Sequence, residues 1–293
     1  MKKINAFLIL FIFPLWFGCE SIQTRKRNIV CLIDFSNSIT QSRIVEYAEG
    51  IKIILSSMGP EDKLAVYPID AGSITDRVTI MYEDFRHANG VSGMTFKNLN
   101  LPDSISPPFK KPGEDNITAT VRKARRLDGY LSVISPLIVR RLDSLKRVRT
   151  KYGNETDIFS AIFSVKDDFE KQKDISWLPG EKTDNYLIIF SDLVQESSLA
   201  NFNTKNGILE NDYDTVLQHL KDQGLVCNLQ QAKVIVYDSY SNSEVSNNSM
   251  AKVRIRGFWD HFFSDSTVNA YSNSMKYQNS STMDDLINIL NNY

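Results

Sequence analysis

The chain has 293 residues, 42% of them hydrophobic and 24% charged, enough for one large globular domain or a domain carrying an insertion. Its 34 Lys and Arg face 35 Asp and Glu, a net charge of −1, and that balance argues against wholesale nucleic-acid binding. Three cysteines make no disulfide framework.

Lys2 and Lys3 precede an apolar stretch from Ile4 to Phe17, and Gly18 and Cys19 follow. A charged start, a short apolar run and a small residue before the cut predict a secretory signal over residues 1–18. The run is shorter than the ~20 apolar residues that span a bilayer. Gly18-Cys19 resembles a bacterial lipobox, with Trp16 standing where Leu is usual. The resemblance implies that Cys19 becomes the lipidated first residue of a chain held on the bacterial cell envelope, facing periplasm or exterior. The alternative is ordinary signal-peptidase cleavage with Cys19 incidental.

From there strand and helix patterns alternate. "NIVCLID" (28–34) is a continuous apolar run, as expected for a strand buried on both faces, and Cys31 inside it reads as a buried free thiol. Ile44, Ala48, Ile51, Leu55 and Met58 recur at helical spacing until Gly59-Pro60. "LAVYPID" (64–70) is a second strand, with Pro68 hinting at an edge or bulge, and "RVTIMYE" (77–83) a third. Residues 84–155 fit the alternation least. Their loop-like start leads to a stripe of Ile117, Val121, Ala124, Leu131, Ile134 and Ile138, broken or re-capped at Ser135-Pro136. Residues 86–150 therefore read as a helical insertion within a domain spanning 27–272. "DIFSAIFSVKDDF" (157–169) predicts a helix, "NYLIIFSD" (185–192) a buried strand, "DTVLQHLKDQG" (214–224) a helix closed by Gly224, "KVIVYD" (233–238) a strand and "MAKVRIRGFWDHFF" (250–263) a helix. A tail with a short helix occupies 273–293. Strands separated by helices predict an α/β fold: a doubly wound, mostly parallel sheet with helices on both faces.

In such sheets ligands bind at the carboxyl ends of the strands. Four predicted strands close on an aspartate, Asp34, Asp70, Asp192 and Asp238. Asp70 and Asp238 read as turn residues that add to the negative field. Asp34 opens "DFSNS", which brings Ser36 and Ser38 to the same tip. A DxDx[TV] phosphatase nucleophile is excluded because Ser36 stands where its second carboxylate belongs. The chain holds no G-x-S-x-G elbow, Walker A or GxGxxG loop, and none of His87, His219 and His261 adjoins a nucleophile, so no enzymatic activity is expected. One carboxylate and two hydroxyls offer only oxygen donors, which suit a hard divalent cation, magnesium first, manganese or calcium next. Ser38 alone also fits as the cap of the helix that follows.

"DFSNS" after its strand resembles the D-x-S-x-S opening of the von Willebrand factor type A domain and its metal-ion-dependent adhesion site. That resemblance adds Thr156, from "GNETDIFSAI", and Asp192, from "LIIFSDL". It implies Ser36, Ser38 and Thr156 as hydroxyl ligands, with Asp34 and Asp192 binding mainly through water. The sequence departs from the pattern at Asn154 and Leu193, where glycines are usual, and in a longer gap before Thr156.

Between Arg122 and Lys151 stand ten Lys or Arg and two Asp. This basic segment, 122–151, is either a solvated helical face or a docking surface for an anionic partner. Two functions follow as expectations. The first is a membrane-anchored module gripping an acidic ligand or protein partner through its cation. The second is a scaffold or assembly subunit whose insertion carries the interaction and whose metal is structural.

Overall fold

The computed structural model describes residues 26–59, 62–84, 113–171, 183–238, 245, 248–271, 276–279, 286, 288 and 290. The predicted signal and Cys19 lie outside them, as do His87 and most of the loop-like stretch before residue 113.

Six strands form one sheet: β1 (Lys26–Asp34), β2 (Lys63–Ile69), β3 (Met81–Asp84), β4 (Thr183–Phe190), β5 (Lys233–Asp238) and β6 (Lys276–Asn279). Their order is β3-β2-β1-β4-β5-β6, parallel throughout except for β3. The expected α/β class is therefore realised. β1 lies between β2 and β4, and Ile29 through Ile33 are fully buried, which is why the strand reads as an unbroken apolar run. Pro68 falls where β2 is locally an edge, with β1 as its strand neighbour among the described residues. Pairing of β2 with β3 ends at Val66, so Pro68 lies beyond that neighbour.

Helices cover both faces. Against one face pack α1 (Gln41–Ser57) and the 33-residue α2 (Asn116–Val148), which bury Ile44, Ile51, Tyr130, Ile134, Ile138 and Leu142 with Ile29, Ile33 and Ile188. Against the other lie α3 (Ile158–Ser164), α4 (Tyr213–Asp222) and α5 (Ser249–Ser264), around Phe159, Phe258, Trp259 and Phe262. Among the described residues no helix is long and apolar enough to cross a membrane.

Two expectations change here. The segment read as an insertion supplies a layer of the domain, because its stripe buries against the same cluster as β1 and α1. It also runs through Pro136 without a break. The tail beyond 272 returns to the sheet as β6, and Leu286 and Leu290 join the α1 side of the core. Arg27 Nη1 donates to the Leu290 carbonyl at 3.2 Å, fixing that end beside the start of β1. Cys31 and Cys227 are buried free thiols.

Candidate functional site

The parallel register places Ile33 opposite Phe190, so the residues following β1 and β4 emerge side by side at one end of the sheet. Asp34, 2% exposed, is held there by two contacts. The Ser36 amide donates to its Oδ1 at 2.8 Å, and the Ser191 hydroxyl donates to its Oδ2 at 3.2 Å. Burial pushes the Asp34 carboxyl above its ordinary value, against the lowering effects of the Ser36 and Ser191 hydrogen bonds and the Lys146 charge.

Ser36 and Ser38 face one another, with their hydroxyl oxygens 2.9 Å apart. Ser38 does not cap α1. That helix starts at Gln41 with Thr40 as N-cap, two residues further on. The capping alternative is thereby removed.

The segment that carries Thr156 is stitched to this loop. Asn37 donates its amide to the Gly153 carbonyl at 2.8 Å and its side-chain amide to Asn154 Oδ1 at 2.8 Å. A Cβ at Gly153 would meet Asn37 Oδ1 at 2.4 Å, so any larger residue would have to displace the Asn37 side chain. Buried Thr156 forms an isolated bridge with Glu196, on the chain leaving β4. Asp157 caps α3 through Ser160 N at 3.2 Å, and buried Gln195 links that cap to the same post-β4 segment.

Asp192 follows Ser191 directly, and its Oδ1 accepts the Val194 amide at 3.0 Å. Leu193, where glycine was expected, adopts a positive φ of 63°, and its carbonyl accepts the Trp259 indole N–H at 3.0 Å. The departure in sequence leaves the glycine-type turn in place.

Sequence reasoning missed four contributors. Ser191 was visible only as the residue beside Asp192, and Asn37 only as the spacer between two serines. Lys146, half-buried on α2, donates to the Ile39 carbonyl. Arg149, in the 3-10 turn Arg149–Tyr152, forms a buried fork with Asp70, Nε to Oδ2 at 2.6 Å and Nη2 to Oδ1 at 2.7 Å. Asp70 therefore does not add free negative charge to the site, contrary to expectation. Asp238 ends β5 opposite Asn279, and its side chain lies outside the described set.

The basic segment is also changed by its surroundings. Arg122 pairs with Glu114 at 2.7 Å, Arg147 with Asp143 at 2.7 Å and Lys151 with Asp76 at 3.7 Å. With Arg149 on Asp70 and Lys146 on a carbonyl, at least five of the ten basic residues have partners within the chain.

Among the described residues no cluster of three or more His, Cys, Asp or Glu is placed to hold a metal. The candidate set is of another kind, with two carboxylates and three hydroxyls. Adjacent ligands on an octahedral magnesium, bound at 2.0–2.1 Å, lie about 2.8–3.0 Å apart. The Ser36–Ser38 separation of 2.9 Å, here an ordinary hydroxyl hydrogen bond, is also compatible with that edge. A cation there would also offset the desolvation of Asp34, so the donor set fits a hard divalent ion.

No family model and no curated protein matches the sequence. Solved structures similar to the chain include proximal thread matrix protein 1 from the mussel byssus, at 12% identity and a TM-score of 0.38, covering 91% of this chain and 47% of that one. The pilus adhesin SpaC from Lactobacillus rhamnosus GG aligns at 11% identity and a TM-score of 0.44, covering 92% and 31%. The conserved hypothetical protein BatB from Bacteroides thetaiotaomicron aligns at 12% identity and 0.39, covering 92% and 98%. The chain thus spans less than half the length of the first two.

Proposed function

We propose that the chain is an extracytoplasmic binding module, tethered to the bacterial envelope through Cys19, which engages an acidic ligand or protein partner through a divalent cation at the β1–β4 tip. The observation that carries this is the pairing of the Ser36 and Ser38 hydroxyls at 2.9 Å beside buried Asp34. The loops bearing Thr156 and Asp192 are hydrogen-bonded to that same corner. Ser36, Ser38 and Thr156 would ligate directly, while Asp34 and Asp192 would hold ordered water. Magnesium is the expected ion, with manganese or calcium as alternatives. Its chemistry is charge and an open coordination position, since neutral hydroxyls leave it net positive and receptive to a carboxylate. The function is binding, with no catalytic group assigned. The basic segment 122–151 is a weaker candidate for the interaction, because much of its charge is matched within the chain.

A ligand that binds only the folded state stabilises it by about 2.7 kcal/mol at one hundred times its dissociation constant. For a domain of this size, about 1 kcal/mol moves the melting temperature by roughly 2–4 °C. With a dissociation constant in the micromolar range, millimolar magnesium or manganese should therefore raise Tm by several degrees, and Asp34→Ala or Ser36→Ala should remove that increment. Calorimetry showing no divalent-cation binding to the intact chain would sink the proposal.

A further inference from the structure

We infer that the buried Asp70–Arg149 pair is a clamp that positions Thr156 against Ser36 and Ser38, making Arg149 a positioning residue for the metal site proposed above, on which this inference rests. The guanidinium grips both Asp70 oxygens and donates from Nη1 to the Asp76 carbonyl at 2.8 Å. Both side chains are nearly inaccessible, at 4% and 0%. Three residues on, the Tyr152 carbonyl accepts the Ala71 amide at 3.3 Å, and the next carbonyl, of Gly153, accepts Asn37 N. The short run from Arg149 to Thr156 is therefore pinned on one side to the β2 tip and on the other to the "DFSNS" loop.

Gly72 reports how closely these parts meet. A Cβ there would lie 2.7 Å from Arg149 Nη2 and 2.8 Å from the Tyr152 ring. The clamp is closely packed and anchors the start of the run that carries Thr156, whose far end is held by the bridge to Glu196. A planar bidentate guanidinium fixes direction as well as distance, which a lysine ammonium does not.

Charge and position make opposite demands, and that separates them. Arg149→Met removes a cation beside the site and exposes the Asp70 charge, so electrostatics alone would tighten divalent-cation binding. Loss of positioning weakens it. Removing a residue that orients metal ligands typically costs about 10–100-fold in affinity. Mn2+ affinity of the intact chain is measured by calorimetry at a temperature where each variant is folded, alongside Tm in EDTA. Arg149→Met should weaken Mn2+ binding by about tenfold or more, with Arg149→Lys intermediate. Gly72→Ala, which displaces the clamp without changing charge, should weaken it too, and it decides the matter if Arg149→Met does not fold. Ile138→Val, a core change on α2, should lower Tm in EDTA and leave Mn2+ affinity as it was. Unchanged or tighter Mn2+ binding in folded Arg149→Met, or in Gly72→Ala, overturns the clamp alone. Absence of Mn2+ binding to the unaltered chain overturns the metal site and the clamp with it.

Discussion

Leu193 sits in the left-handed region at φ 63°, where an L-residue is disfavoured by roughly 1–2 kcal/mol. Its side chain is 1% exposed within the α5-side core, and that burial offsets the backbone cost. Glu83 shows the converse. It is fully buried on β3, and among the described residues neither its oxygens nor the buried Tyr130 hydroxyl has a hydrogen-bond partner. Burial pushes its carboxyl up to about 8 from 4.5. Between those values the unfolded chain releases a proton that the folded chain keeps, so stability is full below the unfolded value and falls as pH rises toward 8. Each pH unit in that window costs about 1.4 kcal/mol. Tm should accordingly decline from pH 5 to pH 8, and Glu83→Gln should flatten the decline and melt higher at pH 8. A variant with the same slope as the parent would show that another group titrates. Single residues were legible where they stood in a dense pattern, as Asp34, Ser36 and Ser38 did. Ser191 and Arg149 were not, because their partners, Asp34 and Asp70, lie 157 and 79 residues away in sequence.

At the scale of elements, periodicity revealed what each segment forms better than what it packs against. The stripe of Leu131, Ile134 and Ile138 identified a helix, but a stripe does not name its partner surface, so a core layer resembled an insertion. Pro136 strengthened that reading, since a mid-helix proline removes one hydrogen bond and crowds the preceding turn. Here its neighbours Ile134 and Ile138 are buried and anchor the helix on both sides of it. β6 escaped notice because "KYQN" is a polar edge strand with β5 as its one neighbour, lacking the apolar run that buried strands require. The role of α2 has a direct consequence. Deleting 86–150 with a short linker strips Tyr130, Ile134, Ile138, Leu142 and Leu145 from the α1 face and frees Asp70 from Arg149. The product should show no cooperative thermal transition by circular dichroism. Ile138→Ala alone should cost about 2–5 kcal/mol in denaturant unfolding. A deletion variant that melts cooperatively would return these residues to the status of an appendage.

For the whole molecule, the alternation of strands and helices was enough to read the sheet class. The envelope tether rests on residues 17–19 and is tested separately. Cys19→Ala should release the protein from a salt-washed membrane fraction or stall its maturation, since lipid anchoring withstands salt whereas a single acyl chain binds only marginally. Unchanged maturation and fractionation of the variant would remove lipidation from the account.

The place of β1 in the sheet also governs when the protein becomes competent. Among the described residues the first strand in chain order, β1, is a central one, and its neighbour β4 begins only at Thr183. Closing so long a loop precedes any reward from the contacts it brings, which makes non-local parallel pairing slow to form. Until β4 arrives, one edge of β1 stays open and its apolar residues are available to chaperones or to misassociation. The site is built on that same seam, where Ser191 meets Asp34. Its assembly therefore coincides with the late closure of the sheet, and a nascent or truncated chain ending before residue 190 would display the "DFSNS" loop without a ligand-ready corner.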